Sequence, residues 1–358
     1  MSEVLREPVE TTYADDIEAL RKCDDRPKPA GWELSPQSVV TYIMGGKAGK
    51  RKIEAKYVGD RRIIETAVAT LATDRALLLM GVPGTAKSWV SEHMAAAISG
   101  DSTKIIQCTA GTDENQIRYG WNYAQLLANG PTRDALVPTP LFRAMEEGSI
   151  CRLEELTRMG SDVQDTLITV LSEKMMPIPE LNQAVYAQRG FNLIATANDR
   201  DKGVNELSAA LKRRFNVVVL PLPDDIEKEI QIVSRRVGEM AQTLELPAPK
   251  NVVEEVTRVL AIFRELRSGE TADGKITIKS PSATLSTAEA IAVMVSGFSH
   301  AAYFNDGILS AEGLAPNVLG AIVKDPVQDK AVLEEYLETV LKKRSDFADY
   351  YTTLTELV

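Results

Sequence analysis

The stretch GVPGTAKSWV, residues 81–90, carries residue types that can bind phosphate groups. Gly81, Lys87 and Ser88 are in register with the pattern G-x-x-x-x-G-K-(S/T), and Ala86 replaces its second glycine. In such loops backbone N–H groups surround the phosphates, the lysine neutralises them and the hydroxyl holds Mg²⁺. Residue 86 is expected close to helical geometry, where alanine is favoured, so the replacement should not disable the loop. The predicted nucleotide-binding residues are Gly81, Val82, Pro83, Gly84, Thr85, Ala86, Lys87, Ser88 and Trp89.

Two adjacent carboxylates follow an apolar run in SICRLEEL, residues 149–156. Adjacent acids usually form a solvated face, but behind a buried strand and beside a phosphate loop they suit nucleotide hydrolysis. Glu154 would bind Mg²⁺ through water, and Glu155 would polarise the attacking water as general base. Asn198 ends the run FNLIATAN and is suited to orient that water, although such an asparagine is otherwise a turn residue. The residues therefore predict ATP hydrolysis, with ATP and Mg²⁺ as cofactors and with Ser88 and Glu154 as the metal-binding residues.

These side chains need a scaffold that brings several strand ends together. Between about residues 51 and 222, apolar runs alternate with amphipathic helical patterns, which is typical of a parallel sheet with crossover helices. Strands buried on both faces appear as continuous apolar runs. The predicted class is α/β, with a five-stranded parallel sheet between helices. The candidate strands are 76–80, 104–108, 149–153, 191–197 and 217–220.

The pattern changes at PLPDD, residues 221–225, and helical periodicity dominates from there on. We therefore predict a smaller all-α lid domain over residues 223–358, with a small hairpin at 268–282. Residues 1–50 are polar and punctuated by proline and glycine. They predict a polar arm or extension rather than a packed domain.

Composition narrows the class of protein. The 358 residues include 51 acidic and 41 basic side chains, and a net charge of -10 argues against a broad nucleic-acid-binding surface. The three cysteines (Cys23, Cys108, Cys151) are too scattered for a disulfide framework or a zinc site. The two histidines, His93 and His300, form no metal-binding motif. An acidic N-terminus and the lack of a long apolar run predict a soluble cytoplasmic protein without a signal peptide or membrane segment.

With the LKRRF run at 211–215, these motifs resemble those of the AAA+ ATPases, and within them the MoxR family. The loop form G-V-P-G-x-A-K-(S/T), alanine included, is similar to that family's own version. The resemblance runs from about Lys56 to about Val295, about two-thirds of the chain. It implies a P-loop AAA+ core followed by a helical lid, assembled as a ring, usually a hexamer, with ATP bound between subunits.

In such rings an arginine of the neighbouring subunit stabilises charge on the γ-phosphate. The match lies in AALKRRF, where Arg214 is the first choice and Arg213 the second. The alternative is that this pair only caps a strand or is solvated. Arg158, in LEELTR, matches an arginine of the family's second acidic motif that is expected to face the interface.

Three positions depart from the family pattern. Glu154 stands where an aspartate is usual, which is expected to alter Mg²⁺ affinity. Arg152 interrupts an apolar strand and requires a partner that the sequence alone leaves open. A nucleotide-sensing arginine at the start of a lid helix is missing or supplied from elsewhere, because no arginine occurs between Arg267 and Arg344. We therefore expect slow or partner-dependent hydrolysis.

The resemblance also implies an output. The segment 118–134 lies where the family carries an insert facing the ring pore, so Trp121 and Tyr123 either grip a substrate or pack the insert against the core. MoxR-type proteins remodel or activate partner proteins in a chaperone-like manner, commonly with von Willebrand factor A domain proteins. Two alternatives stay open: an ATP-gated assembly scaffold with little turnover, and the motor of a DNA-directed defence or restriction complex. The acidic composition counts against direct DNA binding.

Overall fold

The computed structural model describes residues 4–198 and 205–358. Within them the chain forms two compact units. Of the described residues, the first unit contains 4–82, 86–198 and 205–221, and the second contains 83–85 and 222–358. Among the described residues, no helix is both long enough and apolar enough to cross a membrane.

The N-terminal segment is a packed part of the first unit, so the expectation of a polar arm over residues 1–50 is wrong for the part that the structure describes. Leu34, Tyr42 and Ile43 are fully buried and belong to the same core as one face of the central sheet. Pro36 begins α3 and Gly45 ends it, so these residues bound a short helix and do not prevent packing. These elements are α1 (Val9–Thr12), α2 (Ala14–Cys23), α3 (Pro36–Met44), β1 (Gly46–Ala48) and β2 (Arg51–Ile53).

The other strands of the first unit lie in the central sheet or in two small hairpins. In chain order they are β3 (Ala76–Gly81), β4 (Ile105–Gln107), β5 (Tyr119–Trp121), β6 (Leu136–Pro138), β7 (Ile150–Glu154), β8 (Met175–Ile178), β9 (Gln183–Tyr186), β10 (Asn192–Asn198) and β11 (Phe215–Val219). The order β11-β3-β10-β7-β4 makes one parallel five-stranded sheet, which confirms the predicted α/β class. β5 pairs with β6 and β8 with β9, both antiparallel.

Helices cover both faces of this sheet. Alternate residues of β3 enter different cores: Leu77 and Leu79 lie with Val90 of the helix after the phosphate loop, and Leu78 lies with Phe142 on the other face. The helices are α4 (Arg61–Leu71), α5 (Lys87–Ser99), α6 (Glu114–Ile117), α7 (Tyr123–Asn129), α8 (Pro140–Glu147), α9 (Ser161–Asp165), α10 (Leu167–Glu173) and α11 (Ala209–Lys212). The inner strands β3, β7 and β10 are therefore buried between helices, whereas the edge strands β4 and β11 expose alternate residues.

The second unit is helical, as predicted. The expected hairpin at 268–282 is reduced to a single antiparallel bridge between Glu270 and Thr277. The unit's apolar side chains form one core of their own. Its helices are α12 (Ile226–Thr243), α13 (Val252–Ser268), α14 (Thr287–Phe304), α15 (Ala311–Ile322), α16 (Gln328–Thr339) and α17 (Ala348–Leu357).

Candidate active site at the carboxyl edge of the sheet

The phosphate loop connects β3 directly to α5, the context that this motif requires. Ala86 is the residue before the first turn of α5 and has φ 64° and ψ 22°, in the left-handed region. The expectation of near-helical geometry at this position is therefore wrong. For a residue with a Cβ, left-handed geometry costs roughly 1–2 kcal/mol because Cβ approaches the following carbonyl oxygen. This conformation explains why the general pattern has glycine here.

Lys87 begins α5 and is buried although it carries a charge. Its Nζ donates hydrogen bonds to the carbonyl oxygens of Gly81 (2.8 Å) and Val82 (2.9 Å), so the ammonium group is held against the loop. Trp89 points elsewhere: its indole Nε1 donates to the carbonyl oxygen of Lys56 at 2.8 Å. A contact of Trp89 with nucleotide thus stays a prediction.

Glu154 is the last residue of β7, and its carboxylate is buried. Oε2 accepts hydrogen bonds from Ser88 Oγ (2.6 Å) and Thr196 Oγ1 (2.7 Å), and Oε1 accepts from Ser91 Oγ (2.6 Å). Burial raises the pKa of Glu154, but the hydroxyl donors and the charge of Arg152 outweigh it and bring the pKa below its ordinary value. The carboxylate is therefore ionised at neutral pH.

Glu155 leaves the strand in a left-handed conformation, with φ 58° and ψ 46°. Its backbone N–H donates to Thr196 Oγ1 at 3.0 Å, so one threonine fixes both acids. Unlike Glu154, the Glu155 side chain is 37% exposed, and its Oε2 lies 2.6 Å from Nε of Arg158. Non-glycine residues held in this region cost of order 1–3 kcal/mol and cluster at active sites.

Strand register brings the predicted residues to one edge of the sheet. Asn198 ends β10 opposite Gly81, the last residue of β3 and the first of the phosphate loop. On its other side, β10 pairs with β7 at Ala195 and Leu153, immediately before the two acids. The carboxyl ends of three neighbouring strands therefore carry the loop, the acid pair and the asparagine.

The partner of Arg152 is Glu154, two residues later on the same strand. Nη2 of Arg152 lies 2.9 Å from Oε1 of Glu154, and both side chains are buried. Residues i and i+2 of a strand share a face, and Ile150 on this face packs in the core that contains α5. The two-residue spacing in the sequence could therefore have identified the acid.

Two further residues of the site were missed. Ser91 lies three residues after Ser88, and residues at this spacing share a face of a helix. Thr196 lies two residues before Asn198 and so points to the same face of β10. Their periodicity is a usable signal, but small hydroxyl residues in buried elements are too common to stand out without the acid that they contact.

The donor set at this edge fits Mg²⁺. Ser88 and Glu154 provide a hydroxyl and an ionised carboxylate, and Mg²⁺ prefers oxygen ligands, usually one or two carboxylates together with substrate phosphates. Among residues 4–198 and 205–358, no group of three or more His, Cys, Asp or Glu side chains forms a metal-binding cluster. A cation here would thus be shared between these two side chains and the phosphates of a nucleotide.

The sequence of this chain matches two protein-family models, one for each of its two units. The model for the AAA domain (dynein-related subfamily) matches residues 76–215, and the model for the YehL-like AAA+ ATPase C-terminal domain matches residues 227–357. The chain is 40% identical over 354 residues to the protein YehL of Escherichia coli (strain K12), covering 97% of this chain and 96% of YehL. The chain belongs to the YehL-like AAA+ ATPases.

Solved structures extend the likeness of this YehL-like chain at the level of fold. NtrX from Brucella abortus in complex with ADP aligns with a TM-score of 0.50 at 14% identity, over 83% of this chain and 64% of NtrX. NtrX in complex with ATP aligns with the same TM-score and identity, over 75% of this chain and 55% of NtrX. At such low identity the likeness shows a shared fold alone.

The YehL-like C-terminal unit places a basic group beside the start of α14, although that helix begins without an arginine. Arg267 of α13 donates from Nη1 to the carbonyl oxygen of Leu285 at 2.9 Å. Its Nη2 lies 3.1 Å from Oε2 of Glu229, a buried acid that also accepts a hydrogen bond from Thr287 at 2.8 Å. Within the second unit, a neighbouring helix therefore supplies positive charge at this point.

The two arginines of the LKRRF run differ in their surroundings in this YehL-like fold. Arg214 is half-buried, and its guanidinium donates to the carbonyl oxygen of Ala210 at 2.6 Å and to Ser172 Oγ. Arg213 is exposed; its backbone N–H donates to the carbonyl oxygen of Ala209 at 3.4 Å, and its carbonyl oxygen accepts from Arg75. Arg213 is therefore the more accessible of the two side chains, while the order that the resemblance gave, Arg214 before Arg213, stays a prediction.

The predicted aromatic pair of the insert separates in the YehL-like structure. Trp121 lies on the β5–β6 hairpin with its ring 6.0 Å from that of Tyr119, and it packs against the core. Tyr123 begins α7 and is 72% exposed, as is Leu127 at 88%. Packing accounts for Trp121, while Tyr123 remains available to a partner.

Proposed function

We propose that this chain is a Mg²⁺-dependent, ATP-hydrolysing AAA+ ring protein of MoxR type that remodels or activates a partner protein. The observation that carries the proposal is the 2.6 Å hydrogen bond from Ser88 of the phosphate loop to Glu154, with Glu155 next in the chain. This contact joins a phosphate-binding loop to a pair of acids at one sheet edge. A loop with only a structural role and a solvated acid pair would not be expected to form this contact.

Each residue has a defined task in this proposal. Backbone N–H groups of the loop and Lys87 would bind the β- and γ-phosphates, and Ser88 and Glu154 would hold Mg²⁺. Bound Mg²⁺ would neutralise charge on the phosphate oxygens. Glu155 would accept a proton from the attacking water, which Asn198 would orient.

Glu155 must release its ion pair with Arg158 to act as a base. The side chains of Arg158 and Glu155 are 49% and 37% exposed, and solvent-accessible pairs are worth about 0.2–1 kcal/mol, so releasing the pair requires little free energy. We further propose that Arg214, or in second place Arg213, acts on the γ-phosphate of a neighbouring subunit. A hexameric ring, a protein client and a von Willebrand factor A domain partner complete the proposal, and their support is the resemblance to MoxR-type proteins.

The test is ATP turnover per subunit measured over a wide range of protein concentration. We expect the rate to rise with concentration as rings form, because an arginine from one subunit completes the site of another. Glu155→Gln should bind ATP with unchanged affinity and lose turnover by about 10²- to 10⁴-fold, the usual contribution of a general base. Glu173→Gln, an exposed acid at the end of α10, is the matched control and should turn over normally.

Two results would redirect the proposal. Wild-type turnover by Glu155→Gln would remove the assignment of the base. Tight ATP binding without turnover at any concentration would favour an ATP-gated assembly scaffold. Comparison of Arg213→Ala with Arg214→Ala then decides the arginine, since the one that acts in trans should lose turnover but keep ATP binding.

A further inference from the structure

A buried ion pair lies directly behind the proposed metal site. Arg152 and Glu154 have side chains that are 6% and 3% exposed, with 2.9 Å between Nη2 and Oε1. Removing charges from water costs several kcal/mol per ion, so apolar residues of similar volume often give equal or greater stability. Stability is therefore a weak reason for this pair.

Arg152 is anchored at three points besides Glu154. Nε donates to Ser91 Oγ, Nη1 to the carbonyl oxygen of Ser102 and Nη2 to the carbonyl oxygen of Ser88, each at 3.1 Å. These partners lie in the first turns of α5 and in the segment after it. Since the guanidinium is planar and its donors have fixed directions, these anchors determine where it meets Glu154.

Each oxygen of the Glu154 carboxylate therefore accepts two hydrogen bonds. Oε1 accepts from Arg152 and Ser91, and Oε2 accepts from Ser88 and Thr196. A serine hydroxyl has one proton and two lone pairs. With its proton directed to Oε2, Ser88 Oγ has only lone pairs to offer to a third group.

We propose that Arg152 is a positioning residue for the Mg²⁺ site. It fixes Glu154 so that Oε2 retains the Ser88 proton, which leaves the Ser88 oxygen ready to coordinate a cation. The inference rests on the proposed function, because it assumes that Ser88 and Glu154 hold the Mg²⁺ that accompanies ATP.

Arg152 could change the Mg²⁺ affinity of the site by orienting Glu154 or by its own positive charge. These two effects have opposite signs, which makes the proposal testable. The positive charge of Arg152 repels Mg²⁺, so a residue that acted by charge alone would weaken binding, and its removal would tighten it. Residues that orient metal ligands instead strengthen binding, and their loss typically lowers metal affinity about 10- to 100-fold. Because the charge of Arg152 is matched by Glu154, orientation is the larger effect.

The experiment measures the affinity of the full-length protein for a fluorescent ATP analogue as Mg²⁺ is titrated. We expect Arg152→Met to raise the half-saturating Mg²⁺ concentration about 10- to 100-fold, while affinity for the analogue in EDTA stays unchanged. Arg152→Lys should behave like Arg152→Met, because an ammonium group cannot reproduce the four directed hydrogen bonds. Lys104→Met is the matched control, since Lys104 is also a buried cation but pairs with Asp101 and Glu147.

A second variant protects the test if Arg152→Met folds poorly. Ser91→Ala removes the hydroxyl between Arg152 Nε and Glu154 Oε1 and should give a smaller shift in the same direction. Since both residues act through Glu154, the double variant should shift less than the product of the single shifts. Circular dichroism confirms that each variant is folded.

The outcomes separate this inference from the proposed function. An unchanged or lower Mg²⁺ requirement in folded Arg152→Met, or wild-type behaviour of Arg152→Lys, overturns the positioning role. If the wild-type protein shows no Mg²⁺-dependent binding of the ATP analogue, the proposed function itself fails. A shift of the same size in Lys104→Met would assign the effect to general loss of packing and would also overturn the inference.

Discussion

Replacing Ala86 by glycine should stabilise the protein, although glycine usually destabilises. At φ 64° the alanine methyl costs roughly 1–2 kcal/mol, which glycine avoids. Glycine loses more backbone entropy on folding, worth about 0.5–1 kcal/mol. The expected net gain in the free energy of unfolding therefore lies between about 0 and 1.5 kcal/mol. In a domain of about 150–250 residues, 1 kcal/mol raises the unfolding midpoint by about 2–4 °C.

Tryptophan fluorescence during urea unfolding is a suitable assay, because all three tryptophans of the chain lie in the first unit. Two control substitutions should instead lower the free energy of unfolding. Ala69→Gly, at an exposed position in α4, should cost about 1 kcal/mol through helix propensity. Gly100→Ala, at φ 68° where an added Cβ has room, should cost a similar amount. If Ala86→Gly destabilised as much as Ala69→Gly, the left-handed conformation of residue 86 would be refuted.

Two further predictions concern the ends of the chain. Deleting residues 1–50 should prevent soluble folding or markedly lower the unfolding midpoint, because Tyr42 and its neighbours belong to the core of the first unit. Deleting residues 1–7 is the control and should have little effect. Equal stability of the two truncated proteins would contradict the packing of the N-terminal segment. Asp329→Asn should cost about 1–3 kcal/mol, because the buried carboxylate accepts hydrogen bonds from Ser282, Lys324 and Asp325. Burial raises the pKa of Asp329, but these donors bring it below the ordinary pKa of an aspartate. The stabilisation is therefore complete above the unfolded-state pKa and is lost as pH falls through the folded-state pKa. Circular dichroism unfolding from pH 3 to 7 should show the gap between wild type and Asp329→Asn closing only at low pH.

The inner strands β3, β7 and β10 were predictable because they are buried on both faces and so form apolar runs. The errors lie where a polar residue enters a strand or where helix breakers enter a helix. β11 begins at Phe215, earlier than predicted, because the amide of Asn216 is satisfied by Thr70 Oγ1 at 2.6 Å. α15 contains Pro316 and two glycines, which disfavour a helix in the sequence, and its buried apolar face outweighs their low helix propensity.

The residues of the candidate site were predictable where a motif fixes their spacing, as in the phosphate loop and the acid pair. The backbone conformation of the loop was not predictable in the same way. An alanine at residue 86 does not by itself indicate a left-handed conformation, because that conformation depends on how the loop closes between β3 and α5. The N-terminal segment failed for another reason. Its buried residues are spread over short elements and the segments between them, as with Tyr42 in α3 and Trp32 between α2 and α3, so only tertiary packing reveals them.

Glu154 and Arg152 both depart from the family pattern, and the structure shows that these two departures depend on each other. Considered alone, Glu154 in place of aspartate moves the carboxylate outward, and Arg152 places a charge inside a strand. In the structure the longer side chain lets one carboxylate reach Ser88, Ser91, Thr196 and Arg152 at distances of 2.6–2.9 Å. Shortening it by a methylene would withdraw the oxygens by about 1.5 Å, one C–C bond length, which is too far to keep all four contacts. The arginine and the glutamate are thus mutually dependent, so replacing Glu154 by aspartate should be tolerated better when Arg152 is replaced as well.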